Sequence, residues 1–112
     1  MRHIVAATFL FSAASAHAGE IFERLRTEPN FKLTSTKRPE DLELCVADAL
    51  THAGAVSAFR NGRETIIMSL MGVNKYNGAV RLVPVEAGTD LTVFLRGKTY
   101  DDRMKGWISD CV

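Results

Sequence analysis

The chain contains only two cysteines, and their positions limit its possible folds more than any other feature. Cys45 lies in a segment with helical periodicity, and Cys111 is the residue before the C-terminus. A bond between them would enclose more than half of the chain in one loop. Two cysteines allow a single intramolecular pairing. The alternatives are a reactive thiol, a bridge to another chain or a metal site, and the cellular compartment decides between them.

Residues 1–18 have the pattern of a secretory signal peptide. A basic start, "MRH", precedes the apolar run "IVAATFLFSAASA" and the small-residue motif "AHA". The apolar run is too short to span a bilayer. A membrane anchor and a buried first helix are the alternative interpretations. We predict cleavage after Ala18, with Ala16 as the second candidate, and a single domain over residues 19–112 located in the periplasm or outside the cell.

Export to an oxidising compartment favours a Cys45–Cys111 disulfide. After cleavage, His52 would be the only remaining histidine. Two distant cysteines and one histidine are a poor ligand set for structural zinc, which needs four nitrogen or sulfur ligands. There is no C-x-x-C motif to suggest thioredoxin-like chemistry. We therefore predict an internal disulfide, no metal and no cofactor.

The charge distribution argues against a nucleic-acid partner. The chain has 14 Lys and Arg residues against 13 Asp and Glu residues, and only Arg2 of these falls in the leader. The charges are interspersed, whereas nucleic-acid binders normally carry a basic face. After removal of the leader, no remaining run is apolar and long enough to span a membrane.

Two segments have helical periodicity. The first begins at Pro39, which suits a first helical position, continues with acidic Glu40 and Asp41, and stops at Gly54. The second begins at a capping-box-like pair, Thr99 and Asp102, and runs to the C-terminus. Each has one apolar face. The first face contains Leu42, Cys45, Val46, Ala49, Leu50 and Ala53, and the second contains Tyr100, Met104, Trp107, Ile108 and Cys111.

The remaining segments have the alternation of strands. "FKLTST" precedes the first helix, and "AVSAFR" and "RETIIMSLM" flank the dipeptide Asn61-Gly62. Asn-Gly favours a type I′ hairpin, which would place Arg60 opposite Arg63. "GVNKYNG" is predicted to be a connection, and "AVRLVPVEA" and "DLTVFLRG" to be strands joined around Gly88. Pro84 cannot donate a ladder hydrogen bond, so its strand should be bulged there or lie at an edge.

These elements predict an α+β fold with an antiparallel sheet of four or five strands in meander order. Both helices should pack on one face of the sheet, joined by the disulfide.

Candidate contact residues follow from the hairpin and its two faces. Arg60 and Arg63 flank the turn and are candidate contacts for an anion or a partner carboxylate, with a solvated hairpin tip as the alternative. If the helices cover the face that contains Phe59 and Ile66, the opposite face presents Val56, Ile67 and Met71. That surface would contact a protein partner or a second copy, unless the N-terminal segment covers it.

The chain has no recognisable catalytic constellation. His52 is the sole mature histidine, no serine lies in a G-x-S-x-G motif, and the acidic pairs fall at helix starts. We therefore predict a small exported binding module that is not an enzyme, such as an inhibitor, an immunity-type protein or an envelope accessory factor. The alternative is a ligand-binding protein or enzyme with a cleft between sheet and helices, near Tyr76, Tyr100 or Arg81.

Overall fold

The elements follow one another as a strand, a helix, four strands and a second helix. The computed structural model describes residues 23–70, 76–96 and 101–112. The predicted signal peptide, Met71, Thr99 and Tyr100 lie outside the described residues. The elements are β1 (Phe31–Ser35), α1 (Pro39–Leu50), β2 (Ala55–Asn61), β3 (Glu64–Leu70), β4 (Tyr76–Val85), β5 (Gly88–Leu95) and α2 (Asp101–Ser109), with a 3-10 turn at Thr51–Ala53 after α1.

The described strands form one antiparallel sheet in the order β1-β5-β4-β3-β2. Strands β2 to β5 are a meander, and β1 pairs with β5 at the far side. The predicted α+β class, with a five-stranded antiparallel sheet and two helices, is confirmed. Within the described ranges, no helix is long and apolar enough to cross a membrane.

The main core lies between the helices and one face of the sheet. Leu42, Val46, Ala49 and Leu50 of the predicted apolar stripe are buried, whereas Cys45 is exposed. Met104 and Ile108 of α2 join the buried residues. Fully burying one such side chain stabilises a fold by about 1.5–3 kcal/mol. The packing of the helices on the sheet therefore depends on the burial of these side chains. Its buried members are Leu42, Val46, Ala49, Leu50, Ile67, Val80, Leu82, Leu91, Val93, Leu95, Met104, Ile108 and Cys111.

The helices cover the sheet face that contains Val56 and Ile67, and not the face that contains Phe59 and Ile66. Ile67 is 1 % exposed beneath the helices, and Val56 packs against the same core. The outer-face position of Val56 and Ile67 depended on the helices covering Phe59 and Ile66, and this condition is not met. Both sheet faces carry apolar residues, so alternation alone could not identify the covered face.

A second cluster lies on the outer face of the sheet. Its buried members are Leu25, Ile66, Met68, Tyr76, Ala79 and Phe94, with Phe59 and Leu70 packed at its margin. Leu25 comes from the segment before β1, and the Arg24 guanidinium lies 5.2 Å from the centre of the Phe94 ring. The N-terminal segment thus covers part of this face, which was one of the alternatives.

The predicted disulfide joins Cys45 to Cys111, residues separated by 66 positions. The two ends differ in burial, because Cys111 is 2 % exposed whereas Cys45 lies on the exposed side of α1. Cys111 also follows the last residue of α2 by two positions and is not inside the helix. Lys37 Nζ donates a hydrogen bond to the Cys111 carbonyl oxygen at 2.8 Å. The C-terminus is thus held by a covalent and a polar contact.

The β2–β3 turn lies one residue later than predicted. Asn61 pairs with Glu64 and Phe59 with Ile66, so Gly62 and Arg63 are the two central residues. Gly62 has a φ of 62°, and no described non-glycine residue has a positive φ. This matches a type II′ turn, which needs glycine only at its first central position. The prediction of Arg60 opposite Arg63 was therefore wrong. The pairing register differs from the predicted one by two residues, so the residues that were predicted to share a face of the hairpin still do.

The second Asn-Gly pair and Pro84 also differ from expectation. Asn77 and Gly78 lie within β4, where Asn77 interrupts the β3–β4 register and donates a side-chain hydrogen bond to the Ala53 carbonyl oxygen.

Pro84 lies inside β4, with no bulge. Its nitrogen faces the β3 side, because the neighbouring Val85–Gly88 pair closes a two-residue turn. The ladder between β3 and β4 reaches only Leu82, so the absence of an N–H donor at Pro84 costs no hydrogen bond to β3.

Removal of the disulfide should destabilise the protein. In a Cys45→Ala/Cys111→Ala double variant, we expect the free energy of unfolding to fall by about 4 kcal/mol, because the unfolded chain regains the entropy of a long loop. Urea unfolding of both proteins under oxidising conditions measures the difference. As a control, peptide mass mapping without reductant checks that the wild-type protein contains the Cys45–Cys111 bond. An equal midpoint for the two proteins would contradict the expectation.

Replacing Gly106 by alanine should stabilise the protein. A Cβ atom at this position in α2 would contact nothing within 4 Å outside the helix's own backbone. Gly106→Ala should therefore raise the free energy of unfolding by about 0.5–1 kcal/mol, because alanine is the better helix former. Thermal or urea unfolding gives the value, and a loss of stability would show that the glycine is needed for packing.

Candidate binding groove

An open groove lies at one end of the sheet, and the connectivity explains why. In a meander, alternate turns lie at the same end, so the β2–β3 and β4–β5 turns are neighbours. β1 also ends here, because Ser35 pairs with Thr89 near the start of β5. The chain then enters α1 from the same side. Three separate connections therefore surround one groove of about 520 Å³.

The groove walls come from these three connections. The β2–β3 hairpin provides Arg60, Gly62, Arg63 and Thr65. The start of α1 and the residues before it provide Thr36, Arg38, Pro39, Glu40 and Glu43. The β4–β5 hairpin provides Pro84, Val85, Glu86, Ala87 and Gly88. The lining therefore combines arginines, glutamates and a short apolar strip.

Two of the three arginines have carboxylate partners in the structure. Arg60 Nη2 lies 2.5 Å from Glu43 Oε1, and Thr65 Oγ1 donates to the same oxygen at 3.5 Å. Arg38 Nε lies 3.1 Å from Glu40 Oε1. The Arg60 side chain is 63 % exposed and the Arg38 side chain 73 % exposed. Such exposed pairs contribute about 0–1 kcal/mol to stability, so these arginines can change partner at little cost.

Arg63 differs from the other two arginines. It is exposed at the second central position of the turn, and within the described ranges no carboxylate lies within ion-pair distance of it. Its guanidinium therefore keeps all its donors for solvent or for a bound group. Val85 of the β4–β5 hairpin, which also lines the groove, is a large apolar side chain that is 41 % exposed. The groove thus offers a cation and an apolar contact from two neighbouring hairpins.

The structure brings some predicted contact residues together and separates others. Arg60 and Arg63 both line the groove. Val56 and Ile67 lie in the helix-side core instead, and Met71 is outside the described residues. The part played by Arg38, Glu43 and Val85 was missed. Glu43 has no motif in the sequence, and its role follows only from the position of α1 beside β2.

The alternative cleft between sheet and helices was expected near Tyr76 and Arg81. Both residues lie on the outer face of the sheet instead. Tyr76 is 5 % exposed within the outer cluster, and Arg81 Nη2 donates to the Leu25 carbonyl oxygen at 3.1 Å. Arg81 Nε also lies 3.8 Å from Glu64 Oε2. The hydrogen bond to Leu25 ties the N-terminal segment to the sheet.

The described residues provide no group of three or more His, Cys, Asp or Glu side chains placed to hold a metal ion. His52 is exposed, and its ring stacks on Trp107 with centroids 3.9 Å apart. This contact joins the 3-10 turn after α1 to α2.

No family model, curated protein or solved structure matches the chain.

Tyr76 should give stability a pH dependence in alkaline solution. Burial raises the pKa of the Tyr76 phenol above its usual value, and the charge and hydrogen bond of Arg24 oppose the shift in part. The folded state therefore keeps the proton at a pH where the unfolded state loses it. This contribution is complete below about pH 10 and is lost as the pH rises through the folded pKa. Urea unfolding should show a steeper alkaline decline for wild type than for Tyr76→Phe, and parallel profiles would contradict this.

Proposed function

We propose that this protein is a non-enzymatic binding module that is exported to the periplasm or outside the cell and contacts a protein partner through the groove. The observation that carries the proposal is that one groove is lined both by Arg63, without an ion-pair partner in the described chain, and by exposed Val85. A partner that presents a carboxylate beside an apolar side chain would satisfy both.

The composition of the groove favours a polypeptide over a small anion. Glu40, Glu43 and Glu86 line it together with the arginines, so its net charge is close to neutral. A small anion would meet repulsion from these carboxylates, whereas a polypeptide can offer both signs of charge. Arginine and apolar side chains at the centre, with polar groups around them, are typical of protein interfaces.

The location of the groove supports a binding role over the alternative of an enclosed cleft. The groove is formed by hairpin turns and a helix start at the sheet end, and not by the layer between sheet and helices. That layer is occupied by buried apolar side chains. An inhibitor, an immunity-type protein or an envelope accessory factor would each use such an exposed surface. The disulfide supports export, because such bonds persist in oxidising compartments.

Site-specific photo-crosslinking in the native host would test the groove as the contact surface. A photoreactive amino acid replaces exposed Ala87 on the groove wall, and a matched control replaces Leu44, which is 84 % exposed on the outer side of α1. We expect a discrete covalent adduct from position 87 and none from position 44.

The arginines supply the decisive comparison. An Arg60→Ala/Arg63→Ala change in the Ala87 probe protein should abolish the adduct, while stability changes by less than about 1 kcal/mol per residue because both side chains are exposed. An adduct of equal yield with and without the arginines would contradict the proposed contact. Adducts of equal yield from positions 87 and 44 would also contradict it.

A further inference from the structure

The strand β2 lies at an edge of the sheet, and most of its residues are exposed. In the sheet order, β3 is its neighbour on one side, and no described strand pairs with it on the other. Its exposed residues are Ala55, Ser57, Ala58, Arg60 and Asn61. An edge of this kind offers a row of backbone donors and acceptors to another strand.

The position of the hairpin turn identifies which backbone groups face outward. In a two-residue hairpin, the pair that flanks the loop exchanges both hydrogen bonds, and hydrogen-bonded pairs then alternate along the ladder. Asn61 pairs with Glu64 next to the loop, so Phe59 and Ser57 also bond to β3. The amide and carbonyl groups of Val56, Ala58 and Arg60 therefore point away from β3.

This edge lacks the usual protection against pairing. The segment "AVSAFRN" contains no proline and no lysine, and its pairing with β3 shows no bulge. Its one charge, Arg60, is engaged by Glu43 of α1. The opposite edge strand, β1, is shorter and carries exposed Lys32 at its second position. Lysine and short length are the features with which proteins block edge strands, so the two edges differ in their capacity to pair.

We propose that β2 pairs antiparallel with β2 of a second copy of this chain, so that two five-stranded sheets become one sheet of ten strands. A twofold axis through Ala58 places Ala58 opposite its counterpart, Val56 opposite Arg60, and Ser57 opposite Phe59. All three outward-facing residues of each copy then exchange backbone hydrogen bonds, which makes about six across the interface.

The side chains of β2 are complementary to themselves in this register. Small Ala58 residues meet at the axis, and the aliphatic part of Arg60 lies against Val56. No like charges are directly opposite, which is the arrangement that would destabilise a strand pair. The two Phe59 rings are diagonal neighbours on the outer face, a separation of about 7–8 Å that aromatic side chains can bridge. Because β2 is complementary to itself in side-chain size and charge in this register, we assign the edge to a second copy and not to a foreign strand.

The dimer is independent of the groove and of its proposed partner. It uses the backbone and the aliphatic part of Arg60, whereas the groove uses the guanidinium. It can therefore be tested with the purified protein alone, expressed as the full chain with its disulfide formed. Sedimentation velocity and light scattering over a concentration series should show a dimer, and a wild-type protein that stays monomeric at millimolar concentration overturns the proposal.

Charge substitutions at the axis distinguish β2 pairing from any other dimer. Ala58→Lys and Ala58→Glu each place like charges opposite one another, so each should weaken self-association by at least about tenfold. An equimolar mixture of the two variants should recover a dimer that contains one copy of each, as native mass spectrometry can show. Leu44→Lys, on an exposed helix surface away from β2, should leave the dimer unchanged.

A backbone substitution supplies a second and separate test. Ala58→Pro removes an outward-facing donor while the hydrogen bonds to β3 stay in place, so the variant should fold and remain monomeric. Circular dichroism checks that the fold is retained. If folded Ala58→Pro, or both Ala58 charge variants, dimerise as wild type does, β2 is not the interface and the proposal is wrong.

Discussion

The packing of two short helices on one face of the sheet is the interaction on which the rest of the structure depends. α1 has 12 residues and α2 has 9, and helices of this length are marginal in isolation. Their buried side chains supply the stability that the helices lack. The disulfide reinforces this layer, because it ties α1 to the residues after α2 and limits the freedom of the unfolded chain.

The same topology creates the two surfaces that we propose to be functional. Because the meander returns its turns to one end, arginines and glutamates that are distant in sequence surround a common groove. Because β1 adds to β5 and not to β2, the meander's first strand is left at an edge. Both offer what a binding protein needs: exposed donors, a cation without a carboxylate partner in the described chain and small or apolar side chains.

Prediction succeeded where a local pattern has one physical solution. Pro39, the acidic first turn and the buried stripe of α1 follow from helix geometry, and Cys45 had only one possible intramolecular partner. It failed where two solutions are close in energy. Asn61-Gly62 suits a type I′ turn, but Gly62-Arg63 suits type II′ equally, and the pairing along β2 and β3 selects the latter. Asn77-Gly78 is a turn motif by composition, yet Asn77 gains a hydrogen bond to the Ala53 carbonyl oxygen inside β4.

The sequence by itself determined the fold class, the cysteine pairing and which residues share a face of β2 and of β3, because these depend on covalent count and on local periodicity. Only the tertiary structure decided which sheet face the helices cover, since both faces of β3 are apolar. It also decided which strand is left at an edge and which charges meet in the groove. Glu43 reaches Arg60 across 17 positions of sequence because α1 packs beside β2, and no local pattern encodes that distance.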